Sequence, residues 1–135
     1  MAHLRIVTWN CGMALARKAP TLLALNPDIA VVQECSKKSV EVIRAHGFSG
    51  VWFGANPNKG LAVFSRTQFT VQAVDKLFGK WVVPVTVHGA LDFNLLAVWA
   101  CPVGTRRADN YIGLTDVWWN KAAGSARHPL SLLEI

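Results

Sequence analysis

The chain has 135 residues, of which 52% are apolar and 16% charged, and a formal net charge of +6; that length fits one domain with its own core, and that balance excludes intrinsic disorder. Three cysteines, Cys11, Cys35 and Cys101, form no CxxC pair, which argues against a zinc site or a disulfide framework and for packing as small apolar residues in a reducing compartment. The N-terminus has no signal-peptide pattern and no apolar run reaches the ~18–20 residues of a membrane span, so the cytoplasm is the default location.

In chain order, residues 4–9 (LRIVTW) are β-branched and aromatic and predict a strand. Leu15, Leu22 and Leu25 give helical spacing over 14–25, with Pro20 expected in the first turn of the regular part. Asn26-Pro27-Asp28 signals a stop and turn. Residues 29–33 (IAVVQ) predict a strand buried on both faces. Ser36 is a candidate N-cap for a helix running to about His46, with Gly47 as its C-cap. Thus far the order is strand, helix, strand, helix, the pattern of a layered α/β fold. Then follow strands at 51–53, 61–66, 69–75, 81–88 and 93–100, separated by short turns such as Asn56-Pro57-Asn58-Lys59-Gly60, a spacing that favours antiparallel hairpins. Pro84 suggests that its strand is an edge or is bulged. The pattern beyond Thr105 is helical to about Asn120, and 121–135 has no clear period. The expected organisation is therefore a domain over 1–120 and an atypical tail over 121–135.

Two short motifs stand at strand ends, Thr8-Trp9-Asn10 and Gln33-Glu34. In a layered α/β sheet, polar side chains at strand ends gather where ligands bind. An amide and a carboxylate there are suited to a hard divalent cation and a phosphate. Glu34 fits equally an ordinary surface carboxylate at a strand end.

The order TWN, helix, PDIAVVQE, then a strand pair ending GLAVFSR resembles the opening of the endonuclease/exonuclease/phosphatase family. LLAVWACP followed by the region of Tyr111 resembles the family's next block, so the likeness runs from about Leu4 to Tyr111. The resemblance implies half of a DNase I-like α/β/β/α sandwich, with a mixed, mostly antiparallel sheet and helices on one face. It also implies that Asn10 is the active-site Asn, that Glu34 binds a catalytic Mg²⁺ or Mn²⁺, and that Tyr111 helps bind or polarise phosphate. Tyr111 also fits an ordinary helix aromatic. Gln33 would be a supporting residue, structural rather than catalytic.

The sequence departs from the family in its later motifs. No Gly-Asp-Phe-Asn string is found; Leu91-Asp92-Phe93-Asn94 comes too early and reads as a turn into a strand. His128 is followed by Pro129 and has no Asp before it. The expectation is a truncated relative with little or no hydrolase activity, since losing a positioned general base alone costs ~10²–10⁴ in rate. The sheet face away from the helices carries apolar side chains, as in LAVF and LLAVWA. A homodimer that stacks two such faces is expected; the alternative to an inactive relative is a working Mg²⁺-dependent phosphodiesterase or nuclease site rebuilt across that dimer. The net charge alone supports a third reading, a basic module that binds nucleic acid or phosphorylated substrates.

Overall fold

The structure is a computed structural model and describes residues 3–74, 82–100 and, as backbone, 130–134. Strand β1 (Arg5–Asn10), helix α1 (Leu15–Ala24) and strand β2 (Ile29–Cys35) open the chain. The two strands are parallel, with Ile6 opposite Ile29 and Asn10 opposite Gln33. Parallel neighbours need a crossover, and α1 supplies it with Leu15, Ala19 and Leu22 buried. The helix does not wait for Pro20, as its sequence predicts, but runs through it. Pro20 lies on the exposed side, where water can take the carbonyl that its missing N–H leaves unbonded. Asn26, at φ +50°, then turns the chain out of the helix.

Ser36 does not cap a long helix. Its hydroxyl accepts the Ser39 N–H at 3.1 Å, closing a tight turn that leads into the short helix α2 (Val40–Arg44). Gly47, at φ +82°, ends that segment as expected. Strands β3 (Phe48–Asn56) and β4 (Lys59–Arg66) form the following hairpin. β4 also pairs antiparallel with β2. A last strand, β8 (Leu130–Glu134), pairs antiparallel with β1, so the first sheet has the order β3-β4-β2-β1-β8. The end of the segment expected to be a periodless tail is thus part of this sheet.

The strands between, β5 (Phe69–Ala73), β6 (Val82–Gly89) and β7 (Phe93–Val98), form a second antiparallel sheet in the order β5-β6-β7. β5 cannot pair with β4, the strand before it in the chain, because β4 already has β3 on one side and β2 on the other. The link Thr67-Gln68 therefore carries the chain out of the plane. The mixed, mostly antiparallel α/β architecture expected from the sequence is present, built as two sheets and not as a single sheet with one bare face. Alternate residues of β4 divide between two cores. Ala62 and Phe64 join Val7, Leu15, Leu22, Val32 and Ile43 beneath the helices. Leu61 and Val63 join Ile29, Val31, Val71, Val83, Val85 and Val87 between the sheets. Each fully buried Val or Leu contributes about 1.5–3 kcal/mol relative to exposure. The face that was expected to need a second copy is covered by the chain itself, so its burial supplies no argument for a dimer.

Pro84 lies in the middle strand of its sheet, not in an edge strand or at a bulge. Its carbonyl accepts the Val74 N–H at 3.1 Å, so its nitrogen faces β5 as well. β5 pairing ends at Ala73 opposite Val85, and the missing donor falls where that ladder stops. Asp92 stands in the turn before β7, as read from sequence, and its Oδ1 accepts the Gly89 N–H at 3.0 Å. The helix expected over 105–120, Tyr111, Cys101, His128 and most of the expected tail lie outside the described residues. No helix among the described residues is long and apolar enough to cross a membrane.

Candidate functional site

The site is built on one rim of the first sheet, at the C-terminal ends of β1 and β2. Side chains of β1 alternate: Val7 and Trp9 enter the helix-side core, while Ile6 packs in the core between the sheets. Thr8 and Asn10 share the side of Ile6 by the period of two. β2 follows the same rule up to Gln33 and then breaks it. Gln33 pairs with Leu61 and Cys35 with Gly60, which leaves Glu34 as an extra residue in a bulge. Glu34 has φ +56°, a left-handed conformation that costs a non-glycine residue roughly 1–2 kcal/mol. The bulge shifts the alternation by one. Val32 and Cys35, three residues apart, both face the helix-side core, and Gln33 and Glu34 are presented together at the rim.

Neighbouring backbone holds this geometry. The Cys11 N–H donates to the Gln33 carbonyl at 3.1 Å and the Met13 N–H to the Glu34 carbonyl at 2.8 Å. Gly12 and Met13 both have positive φ, 58° and 65°, which curls the loop after β1 over the end of β2. Asn10 Oδ1 accepts the Gly12 N–H at 3.0 Å. That oxygen has a second lone pair for a cation. Lys18 of α1 donates to the Cys11 carbonyl at 3.2 Å and lies 5.7 Å from the centroid of the Trp9 ring.

Gln33 has the supporting role expected of it. Its Nε2 donates to Thr8 Oγ1 at 2.9 Å and to the Val98 carbonyl at 3.1 Å. The second bond ties the first sheet to β7 of the second, directly beside Glu34. Three further residues of this rim were not singled out from the sequence. Trp52 donates from Nε1 to the Cys35 carbonyl at 3.1 Å, bracing the bulge from the β3 side. Gly60 makes room for that indole: a Cβ there would lie 2.4 Å from Trp52 Cζ2 and 2.5 Å from the Phe53 carbonyl. Lys59 places its Nζ 3.8 Å from Glu34 Oε1 and 5.3 Å from the centroid of the Trp99 ring. The sequence signal for the last two was the Lys-Gly step closing the β3–β4 turn.

Cys11 and Cys35 follow the two site residues but are buried. Burial raises the Cys11 thiol above its ordinary range and pushes Cys35 up to about 12. Both are held as neutral thiols at pH 7, which makes them packing groups and not nucleophiles.

The donor set at the rim is the Glu34 carboxylate and the Asn10 amide oxygen. These are hard oxygen ligands of the kind Mg²⁺ and Mn²⁺ accept, and Mg²⁺ is commonly held by one or two carboxylates with water and substrate phosphate completing the shell. The residues fit such an ion as part of a ligand set. Among the described residues no group of three or more His, Cys, Asp and Glu gathers that could hold a metal alone. Of the residues expected to form the site, the structure brings Asn10 and Glu34 to one rim with Gln33 between them; Tyr111 is outside the described residues.

Residues 7–133 match the Endonuclease/Exonuclease/phosphatase family, a match that reaches into β8 and extends past the end of the resemblance at Tyr111. Among solved structures, the fold is similar to the endonuclease domain of TRAS1, a telomere-specific non-LTR retrotransposon. That similarity has 18% identity and a TM-score of 0.59, over 77% of this chain and 49% of the other. It is similar too to TDP2 of D. rerio in complex with a single-strand DNA product, at 18% identity and a TM-score of 0.54, over 71% of this chain and 45% of that one. A Bacteroides thetaiotaomicron protein of the same family gives 17% identity and a TM-score of 0.52, covering 70% and 50%. The chain thus spans about half the length of the structures it matches. No curated protein matches the sequence.

Proposed function

Since the chain belongs to the endonuclease/exonuclease/phosphatase family, we propose that its β1–β2 rim is the metal-binding portion of a phosphoesterase site, and that this chain alone hydrolyses phosphodiesters slowly or not at all. The observation that carries the reading is the bulge at Glu34. A carboxylate presented by a left-handed non-glycine residue at a strand end carries a local backbone cost, and such costs collect at functional sites. Glu34, with Asn10 beside it, would hold Mg²⁺ or Mn²⁺. When bound, the ion would polarise a phosphoryl oxygen and offset charge on a leaving oxygen. The described residues of the rim supply no partner placed to take a proton from water, and a positioned general base is worth ~10²–10⁴ in rate. The sequence also lacks the family's later motifs, and both observations support the reading of low activity. Phosphodiesters of nucleic acid are the substrate class to test first, because the chain is basic and a fold relative is recorded with a DNA product.

Calorimetric titration of the full chain with Mn²⁺ tests the assignment. Glu34→Ala is expected to abolish binding, and phosphodiester hydrolysis by the unaltered chain is expected to be close to background. Undiminished Mn²⁺ affinity in Glu34→Ala would remove the site.

A further inference from the structure

We propose that Lys59 is a resident countercation for Glu34, which a divalent ion must displace to reach the carboxylate. The inference rests on the metal-binding reading of Glu34 and adds a residue that controls it. Lys59 Nζ is 3.8 Å from Glu34 Oε1, with the two side chains 41% and 21% exposed. It is held loosely at that distance, beyond a tight charged hydrogen bond. The same ammonium stands 5.3 Å from the centroid of the Trp99 ring, within reach of its electron-rich face. Trp99 is itself 2% exposed and packed in the core between the sheets, so it is a fixed platform. The ammonium therefore has two weak holds, one of which survives when the carboxylate is taken by another cation.

The backbone gives Lys59 little freedom to be elsewhere. It is the first residue of β4 and pairs with Asn56 across the turn, where the Asn58 N–H donates to Asn56 Oδ1 at 2.9 Å. The next residue, Gly60, is locked between the Trp52 ring and Cys35. A bidentate arginine in the same place would close the carboxylate to other cations. A neutral residue would leave Glu34 without a charge partner whenever no ion is bound. A lysine over an indole does neither. It neutralises the site at rest and gives way to a doubly charged ion.

The test is Mg²⁺ affinity by calorimetry on the full chain, with tryptophan emission as a second readout. Lys59→Gln is expected to tighten Mg²⁺ binding about two- to fivefold, the range for releasing a partly exposed ion pair. Lys38→Gln removes the same charge four residues beyond Glu34 and is expected to change affinity less than twofold. In a Glu34→Ala background, Lys59→Gln should bring no gain. Without any metal, Lys59→Gln should alter tryptophan emission, and that change should vanish in a Trp99→Phe background. An affinity of Lys59→Gln equal to the unaltered chain, or a gain no larger than that of Lys38→Gln, overturns the proposal while leaving the metal site in place. Unchanged affinity in Glu34→Ala would instead overturn the site on which both ideas stand.

Discussion

Asp28 and Glu34 stand at opposite ends of β2, and their carboxylates are used in opposite ways. At the N-terminal ends of β1 and β2, both carboxylate oxygens of Asp28 are hydrogen-bonded to the fold. Its Oδ2 accepts the Arg5 N–H at 2.8 Å and its Oδ1 accepts Gln68 Nε2 at 2.9 Å. Its own N–H donates to the Arg5 carbonyl, and its carbonyl accepts the Arg66 N–H, both at 2.9 Å. Arg66 completes the knot, donating from Nε to the Pro27 carbonyl at 2.9 Å and stacking on Phe48. At the other end, Glu34 has a strained backbone and a long ion pair to a lysine. One carboxylate is consumed by the fold; the other is kept open at the fold's expense. Both stand at strand ends, so position alone does not mark function. What separates the two is how much of each group's bonding capacity the fold uses.

That contrast can be broken by substitution. Asp28→Ala should have the largest effect, a loss of about 2–3 kcal/mol of stability in chemical denaturation, the usual cost of hydrogen bonds to a charged group, with Mn²⁺ affinity unchanged. A small loss, or a changed affinity, would erase the distinction between the two ends. Gln33→Leu should cost about 1–2 kcal/mol by leaving the Val98 carbonyl without its donor. It should also speed amide exchange in β7 more than in β5. Equal acceleration in both would mean that the tie between sheets is not local. The smallest and most telling change is Glu34→Gly. Relief of the left-handed strain should raise stability by about 1 kcal/mol while metal binding is lost. A destabilised variant would show that the bulge is built around the glutamate side chain and is not a cost borne for it.

Much of the first sheet was legible in the sequence because its signals are local. LRIVTW, IAVVQ and the turn at Asn26-Pro27-Asp28 each carry their own periodicity or stop. The split into two sheets was not legible, because it depends on β4 having both flanks occupied, a fact of pairing between distant segments. Asn10 and Glu34 are candidates by their place at strand ends and by resemblance. The bulge that turns Glu34 outward was hidden, since IAVVQEC is apolar on both faces until Gln33 and shows no break in alternation. Trp52 and Lys59 were missed for a related reason: they reach the rim across the β3–β4 hairpin, and nothing in their immediate sequence says which strand end they will meet. β8 was missed because LSLLE alternates too briefly to declare itself without β1 beside it.

The pairing of β1 with β8 has a consequence for how the protein is made. Arg5 lies opposite Glu134 and Trp9 opposite Leu130. During synthesis β1 can meet β2 within a few tens of residues, but its other flank stays open until β8, which follows all the other described strands, has been made. An unpaired strand edge invites pairing with other chains, and contacts between such distant segments form slowly. The strand that bears Asn10 is thus the first of its sheet to be synthesised and the one whose second flank is closed last.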